Sequence, residues 1–317
     1  MEYSIFCEKV KAEVESIMGP NYNVRVESVL KNNRVTYDAL LIMKKGENMA
    51  PTVCLNEYYA EYSRGREMAD IVLEIIVWNE THKNDIMIEI DKISDYAYMK
   101  ENIYVKVINA KMNEELLKRL PHFYFCDLAI IAYWIIEEDG QRKGSANVTN
   151  AQLEMWNVKK EEMFDSAMSN TKEKYPPKLS HMSDVMKELL ISKLNLADYR
   201  VGDDTHMDKA LARAIEEIEN MSEQRLYVLT NSRSRDGAVY MVMNDVLGQI
   251  AKQLDSDLFI MPSSVHEVLI LPKEEDIDYE QLKEMVVSVN EIHVKPEEVL
   301  SDVVYFYERN TGVVCQK

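Results

Sequence analysis

The sequence predicts an α+β protein: two mixed or antiparallel sheet layers with packed helices, and a helical segment in the middle of the chain. Three observations predict it. Residues 22–43 alternate apolar and polar side chains with the period of two expected of half-buried strands. Between 150 and 221 the apolar spacing changes to three and four, the period of amphipathic helices. From 226 onward the two patterns interleave in the order β-β-α-β-β-α-β, which suits helices layered on one face of a mainly antiparallel sheet. The divisions give an N-terminal α+β domain over 1–175, a helical connector over 176–225 and a C-terminal α+β domain over 226–317.

Taken in order, Ser4 is placed to cap a first helix whose inward positions are Ile5, Val10, Val14 and Ile17, ending at Gly19-Pro20. Tyr22–Leu30 and Val35–Met43 form a hairpin across Lys31-Asn32-Asn33, and Pro51–Leu55 adds a short third strand. Two helices follow, one with Tyr58, Tyr59 and Tyr62 and one with Met68, Ile71, Val72, Ile75 and Ile76, broken at Arg64-Gly65-Arg66. Asp85–Asn109 is ambiguous, although 103–108 within it reads as a strand, and a short helix from Asn113 stops before Pro121. Phe123–Ile136 is nearly all apolar and turns through 137–144 into a buried hairpin. Asn150 caps a short helix to Trp156; another carries Met163, Phe164, Ala167 and Met168 inward until Pro176-Pro177.

Two further helical stripes occupy the middle: Met182, Val185, Met186, Leu189, Leu190 and Leu194, then Met207, Leu211, Ala214, Ile215, Ile218 and Met221. In the last third, Leu226–Thr230 and Ala238–Met243 flank Asp236-Gly237, a hairpin signal. A helix burying Val246, Leu247, Ile250, Ala251 and Leu254 comes next. Two apolar runs meeting at Pro262-Ser263-Ser264 supply the central strands. A helix capped by Asp278 buries Leu282, Met285, Val286 and Val289, and Val303–Tyr307 closes the sheet.

Composition narrows the function classes. The 317 residues are 46% hydrophobic and 29% charged, ordinary for a folded protein, with only nine glycines and eight prolines, which favours long regular elements. A net charge of −18 argues against nucleic acid, whose binding needs clustered Lys and Arg. Residues 244–302 alone hold 14 acidic side chains against Lys252, Lys273, Lys283 and Lys295. The N-terminus lacks the basic region of a secretory signal, and the longest apolar run, Leu128–Ile136, is strand-sized, so a soluble cytoplasmic protein with no membrane partner is expected. Cys7, Cys54, Cys126 and Cys315 form no Cys-x-x-Cys pair and are expected to be reduced and mostly buried.

Leu-Tyr-Val-Leu-Thr-Asn-Ser (226–232), Asp-Leu-Phe-Ile-Met-Pro-Ser-Ser-Val-His-Glu-Val-Leu-Ile (257–270) and Pro-Glu-Glu-Val-Leu-Ser-Asp-Val-Val-Tyr-Phe-Tyr (296–307) carry a family resemblance. With Leu-Pro-His-Phe-Tyr-Phe-Cys-Asp-Leu-Ala (120–129) and Val-Cys-Leu-Asn-Glu-Tyr-Tyr (53–59), nearly the whole chain resembles an uncharacterised bacterial (clostridial) family, domain-of-unknown-function family 5688. The resemblance implies no activity, cofactor or catalytic residue.

Chemistry-bearing residues are sparse. Ser263, Ser264, His266 and Glu267 contain the residue types of a hydrolase, but only Ser264 and His266 would share a strand face and no Gly-x-Ser-x-Gly elbow exposes a nucleophile; a turn is the simpler reading. The six histidines are scattered without metal-ligand spacing, so neither a metal nor a cofactor is expected. Acidic pairs such as Asp203-Asp204 and Asp255 with Asp257 read as solvated surface. Basic residues gather at three glycine-containing loops, Arg64 and Arg66, Arg142 and Lys143, and Arg233 and Arg235, which together would make an anion site. The expected function is therefore a non-enzymatic, protein-binding or regulatory role with an unidentified protein partner. The alternative is an enzyme or binding protein for a phosphorylated or otherwise anionic small molecule at the Arg-bearing loops.

Overall fold

The computed structural model describes residues 1–46, 50, 52–82, 90–138, 141–196, 213, 216, 218, 220, 225–274 and 277–316, with side chains at 90–91, 136–144 and 193–196 outside the description. The fold is α+β with antiparallel sheets, as expected from the patterning. The chain divides into two compact units. The first comprises Met1–Tyr104, Lys118–Pro121 and Ala132–Ala167; the second comprises Val105–Leu117, His122–Ile131 and Met168–Lys317.

The first unit opens with α1 (Tyr3–Met18), β1 (Tyr22–Leu30), β2 (Thr36–Lys44), β3 (Thr52–Cys54), α2 (Leu55–Ser63) and α3 (Met68–His82). Helix α1 starts one residue before Ser4, which therefore does not cap it, and it ends where Gly19 takes φ 76°, a left-handed conformation that costs glycine nothing. Strands β1 and β2 pair antiparallel from Tyr22↔Lys44 to Leu30↔Thr36, and β3 extends the sheet by pairing Ala39 with Cys54. Phe6, Val10, Val14, Leu40, Leu55, Ile71 and Ile75 are buried together in one core. Each such side chain contributes roughly 1.5–3 kcal/mol by leaving water. Ile5 and Ile17, expected inward, are exposed, because the core side of α1 is set by Phe6, Val10 and Val14.

Later parts of this unit include α4 (Ile90–Ser94), α5 (Tyr96–Met99), α7 (Asn150–Trp156) and the start of α8 (Lys160–Lys174). The cap of α7 is Thr149, not Asn150: its hydroxyl accepts from the Gln152 amide while the Gln152 side chain accepts from the Thr149 amide. The apolar run 123–136 is two strands, β5 (His122–Phe125) and β6 (Leu128–Glu138), turning at Cys126-Asp127 with Cys126 at φ 54°; β5 and Leu128–Ile131 are assigned to the second unit, β6 from Ala132 to the first. Strand β6 pairs antiparallel with β7 (Gln141–Asn147), so Arg142 and Lys143 lie on a strand and not in a loop. With β4 (Ile103–Asn109), these strands make a sheet in the order β4-β6-β5, with β7 paired to β6.

The second unit is built on a six-stranded sheet, in which the predicted strands are joined by two that the pattern missed. After α6 (Glu114–Leu117) and the remainder of α8 come β8 (Pro177–His181), α9 (Met182–Leu196), β9 (Tyr227–Asn231), α10 (Asn244–Leu254), β10 (Leu258–Pro262), β11 (Val268–Pro272), α11 (Tyr279–His293), β12 (Tyr305–Glu308) and β13 (Val313–Gln316). The sheet order is β13-β12-β10-β11-β9-β8, which makes β10 and β11 its centre, registered from Leu258↔Pro272 to Pro262↔Val268. Helix α10 buries all five expected residues. Asp278 caps α11 by accepting from the Glu280 amide at 2.9 Å.

Residues 238–243 do not form the predicted strand. Gly237–Val242 is a 3-10 helix with Ala238, Val239, Tyr240 and Met241 all buried. The amides of Gly237 and Ala238 donate to the carbonyls of His266 and Val265, so the corner between β10 and β11 captures the segment that a hairpin would have given to β9. The buried Tyr240 hydroxyl then donates to the carbonyls of Thr171 and Tyr175. Met186 and Leu189 on α9 and Met285 on α11, all expected inward, are exposed. A stripe of apolar spacing reports that a helix is amphipathic, not how much of its face a neighbour covers. Of the stripe over 207–221, Ile218 is buried; its other members lie outside the described residues.

Candidate functional site

The corner at 262–267, the sequence's nearest approach to a catalytic set, is a structural knot. The Ser264 hydroxyl accepts from the His266 amide at 3.0 Å, and the Ser264 amide donates to the Glu267 carbonyl. His266 Nδ1 accepts from the Asp236 amide at 3.1 Å, which leaves the ring proton on Nε2, facing Glu298 at 3.6 Å. Both imidazole nitrogens of His266 are thus engaged by groups other than Ser264, so His266 is not placed as a base for the Ser264 hydroxyl. The Glu267 carboxyl is pushed up in pKa by burial, opposed by the neighbouring His266.

The three basic loops divide between the units. Arg64 is exposed at the end of α2, two residues before Arg66. The Arg66 guanidinium is held by two carboxylates, with Nη1 on Glu61 and Nη2 on Glu74. Arg142 and Lys143 are on β7 and their side chains lie outside the described residues. In the second unit, Arg233 stacks on the Tyr175 ring at 4.5 Å, and the amides of Arg233 and Arg235 both donate to the Asn231 side chain. Those two amides are therefore spent inside their own loop.

The more developed site lies within the first unit, where β3, α2 and α3 meet. A pocket of about 240 Å³ is lined by Cys54, Glu57, Tyr58, Glu61, Glu74 and Trp78, among others. Local sequence explains the arrangement. Gly65 at φ 101° breaks the helix and lets α3 fold back, so that Glu57, Tyr58 and Glu61 on α2 confront Glu74 and Trp78, which lie one turn apart on α3. The Tyr58 hydroxyl donates to Glu74 at 3.2 Å and its pKa is pushed up to about 12, by burial first and by the Glu74 charge second. Hydrogen bonding from Arg66 holds the Glu74 carboxyl below the usual glutamate range. Glu57 makes no ion pair among the described residues. On the same helix, Leu73 and Val77 are 62% and 53% exposed, beside Glu74 and Trp78 in sequence. This pocket was not singled out from sequence; the tyrosines of α2 read there only as one face of a helix, and acidic residues are too common in this chain to mark a site.

The cysteines are all free, but only Cys7 is buried: Cys54 is half-buried in the pocket wall, and Cys126 and Cys315 are exposed, correcting the expectation of mostly buried thiols. Burial, Asp127 and Cys315 push the Cys126 thiol up in pKa. No group of three or more potential metal ligands occurs among the described residues, and no described helix is long and apolar enough to cross a membrane.

Neither the curated proteins nor the solved structures contain a match to this chain. A family model does match it, over residues 3–309, and that span takes in the α2/α3 pocket, the corner at 262–267 and all but the last strand. The chain belongs to the family of unknown function DUF5688.

Proposed function

We propose that the protein is a cytoplasmic accessory or regulatory protein that works by binding another protein and has no catalysis of its own. The observation that carries this reading is the outward pair Leu73 and Val77 on α3, two apolar side chains one helical turn apart and more than half exposed, beside the pocket residues Glu74 and Trp78. Apolar side chains rimmed by charge are the common form of a protein-binding surface. The alternative, chemistry on an anionic small molecule at the basic loops, has less behind it. Arg66 is engaged by two carboxylates, and the loop amides at Arg233 and Arg235 are donated to Asn231.

Native pulldown with mass spectrometry tests the reading. A protein retained by the wild type and lost from the Leu73→Asp, Val77→Asp double variant, with circular dichroism unchanged, is the expected result. Retention of the same protein by both forms would remove α3 from the interface.

A further inference from the structure

Resting on the protein-binding reading, we propose that the α2/α3 pocket receives an arginine or lysine side chain from an amphipathic segment of the partner. Arg66, which bridges Glu61 and Glu74 beside the pocket, competes for those two carboxylates and is displaced from them when the partner binds. The lining decides the ligand class. Glu57, Glu61 and Glu74 line the pocket together with Tyr58 and Trp78, a combination of carboxylates and aromatic rings that suits a cation. Its volume of about 240 Å³ is below the roughly 300–1,000 Å³ of drug-sized ligand sites and suits a single side chain.

Arg66 shows which chemistry the rim accepts, since a guanidinium already bridges Glu61 and Glu74. Its side chain is only 30% exposed, yet it springs from the break between α2 and α3, where Gly65 takes a left-handed conformation. Exchanging one guanidinium for another keeps both carboxylates paired, and the incoming cation also gains Glu57. Leu73 and Val77, next to Glu74 and Trp78 on α3, supply apolar contacts for the rest of an amphipathic segment. The net charge of −18 favours encounter with a basic partner and makes association fall with salt.

The test is fluorescence anisotropy with the full chain and a labelled helical peptide carrying Leu and Arg at i, i+3 and i+4 spacing, against the same peptide with citrulline for Arg. The wild type should bind the Arg peptide and not its neutral counterpart. Arg66→Gln should bind roughly three- to tenfold tighter, because the internal competitor is gone, and Glu57→Gln several-fold weaker. Arg66→Lys, which pairs with one carboxylate at a time, should lie between wild type and Arg66→Gln and serves if the Gln variant unfolds. Wild-type binding with Arg66→Gln and Arg66→Lys no tighter would overturn the competitor role while leaving the pocket. Equal binding of the Arg and citrulline peptides, or binding of neither by any variant, would overturn the pocket as a cation receptor. The pulldown with the Leu73 and Val77 variants reports separately on whether α3 binds a protein at all.

Discussion

The Gly237 amide donates to the His266 carbonyl at 3.0 Å, and a β-carbon on Gly237 would stand 2.8 Å from that same oxygen. It would also meet the Asn231 amide nitrogen at 2.7 Å and the Thr230 hydroxyl at 2.5 Å. Two of these three atoms are backbone, one at the end of β9 and one in the corner between β10 and β11, so they cannot rotate away. Gly237→Ala should destabilise the second unit by about 2–3 kcal/mol, as overpacking does elsewhere. A lowered midpoint in urea unfolding, with Gly248→Ala as a milder comparison, checks it; an unchanged midpoint would mean that the corner yields.

Asp127 ties the turn between β5 and β6 to β12, β13 and the segment before β12. Its Oδ1 accepts from the Tyr305 hydroxyl at 2.5 Å and from Gln316 Nε2 at 2.6 Å, and its Oδ2 accepts from the Ser301 hydroxyl at 2.7 Å. Tyr305 and Ser301 are almost wholly buried. Asp127→Ala leaves both hydroxyls without their acceptor, a loss of about 2–4 kcal/mol. Ser301→Ala, which removes one of the three donors to Asp127 and leaves only the Val303 amide without its side-chain acceptor, should cost less. Equal losses in thermal unfolding would show that the Asp127 network is not what holds the turn.

Glu267 makes a prediction in pH. Burial raises its pKa in the folded protein above the ordinary value of 4.5, so its charged form is disfavoured by folding. The folded state then keeps its full stability below that ordinary value and loses part of it as pH rises through the raised one. Glu267→Gln cannot ionise, so it should unfold at a higher temperature than wild type at pH 8, with the difference vanishing near pH 4. Thermal scans at the two pH values decide; a Gln variant less stable at pH 8 would indicate that the carboxylate has a stabilising partner.

Asn79 sits on the buried side of α3 at 1% exposure, and neither of its amide atoms has a hydrogen-bond partner among the described residues. A buried amide without a partner costs its desolvation, whereas an apolar side chain of similar size at the same place gains burial. Asn79→Leu should therefore raise stability by about 1–2 kcal/mol. A fall in the denaturation midpoint would sink this and point to a polar partner for Asn79.

Much of the fold was legible because its cause is local. The hairpin of β1 and β2, the helix break at Gly65, the five buried residues of α10 and the pairing of β10 with β11 all follow from apolar period and turn chemistry, and each is in place. The errors have a common physical form. Ala238–Met243 has a strand's composition and an Asp-Gly turn before it, yet hydrogen bonds to Val265 and His266, almost thirty residues away, draw it into a 3-10 helix. Strand β8 begins with Pro177 at the sheet edge, where a missing amide costs least, and its short run gives too little alternation to detect. Exposure of Met186, Leu189 and Met285 depends on what covers a helix, which no periodicity encodes.

The sequence by itself determined the α+β class, the order of most elements, the absence of a hydrolase elbow and the acidic charge that sets which partners approach. Tertiary structure alone decided which ionisable groups meet. Arg66 and Glu61 are close in sequence, but Glu57, Glu61, Glu74 and Trp78 surround one pocket only because α3 folds back on α2 after Gly65. Side-chain chemistry is written residue by residue, whereas a site is a matter of distance, and distance between helices is fixed by the core they bury together.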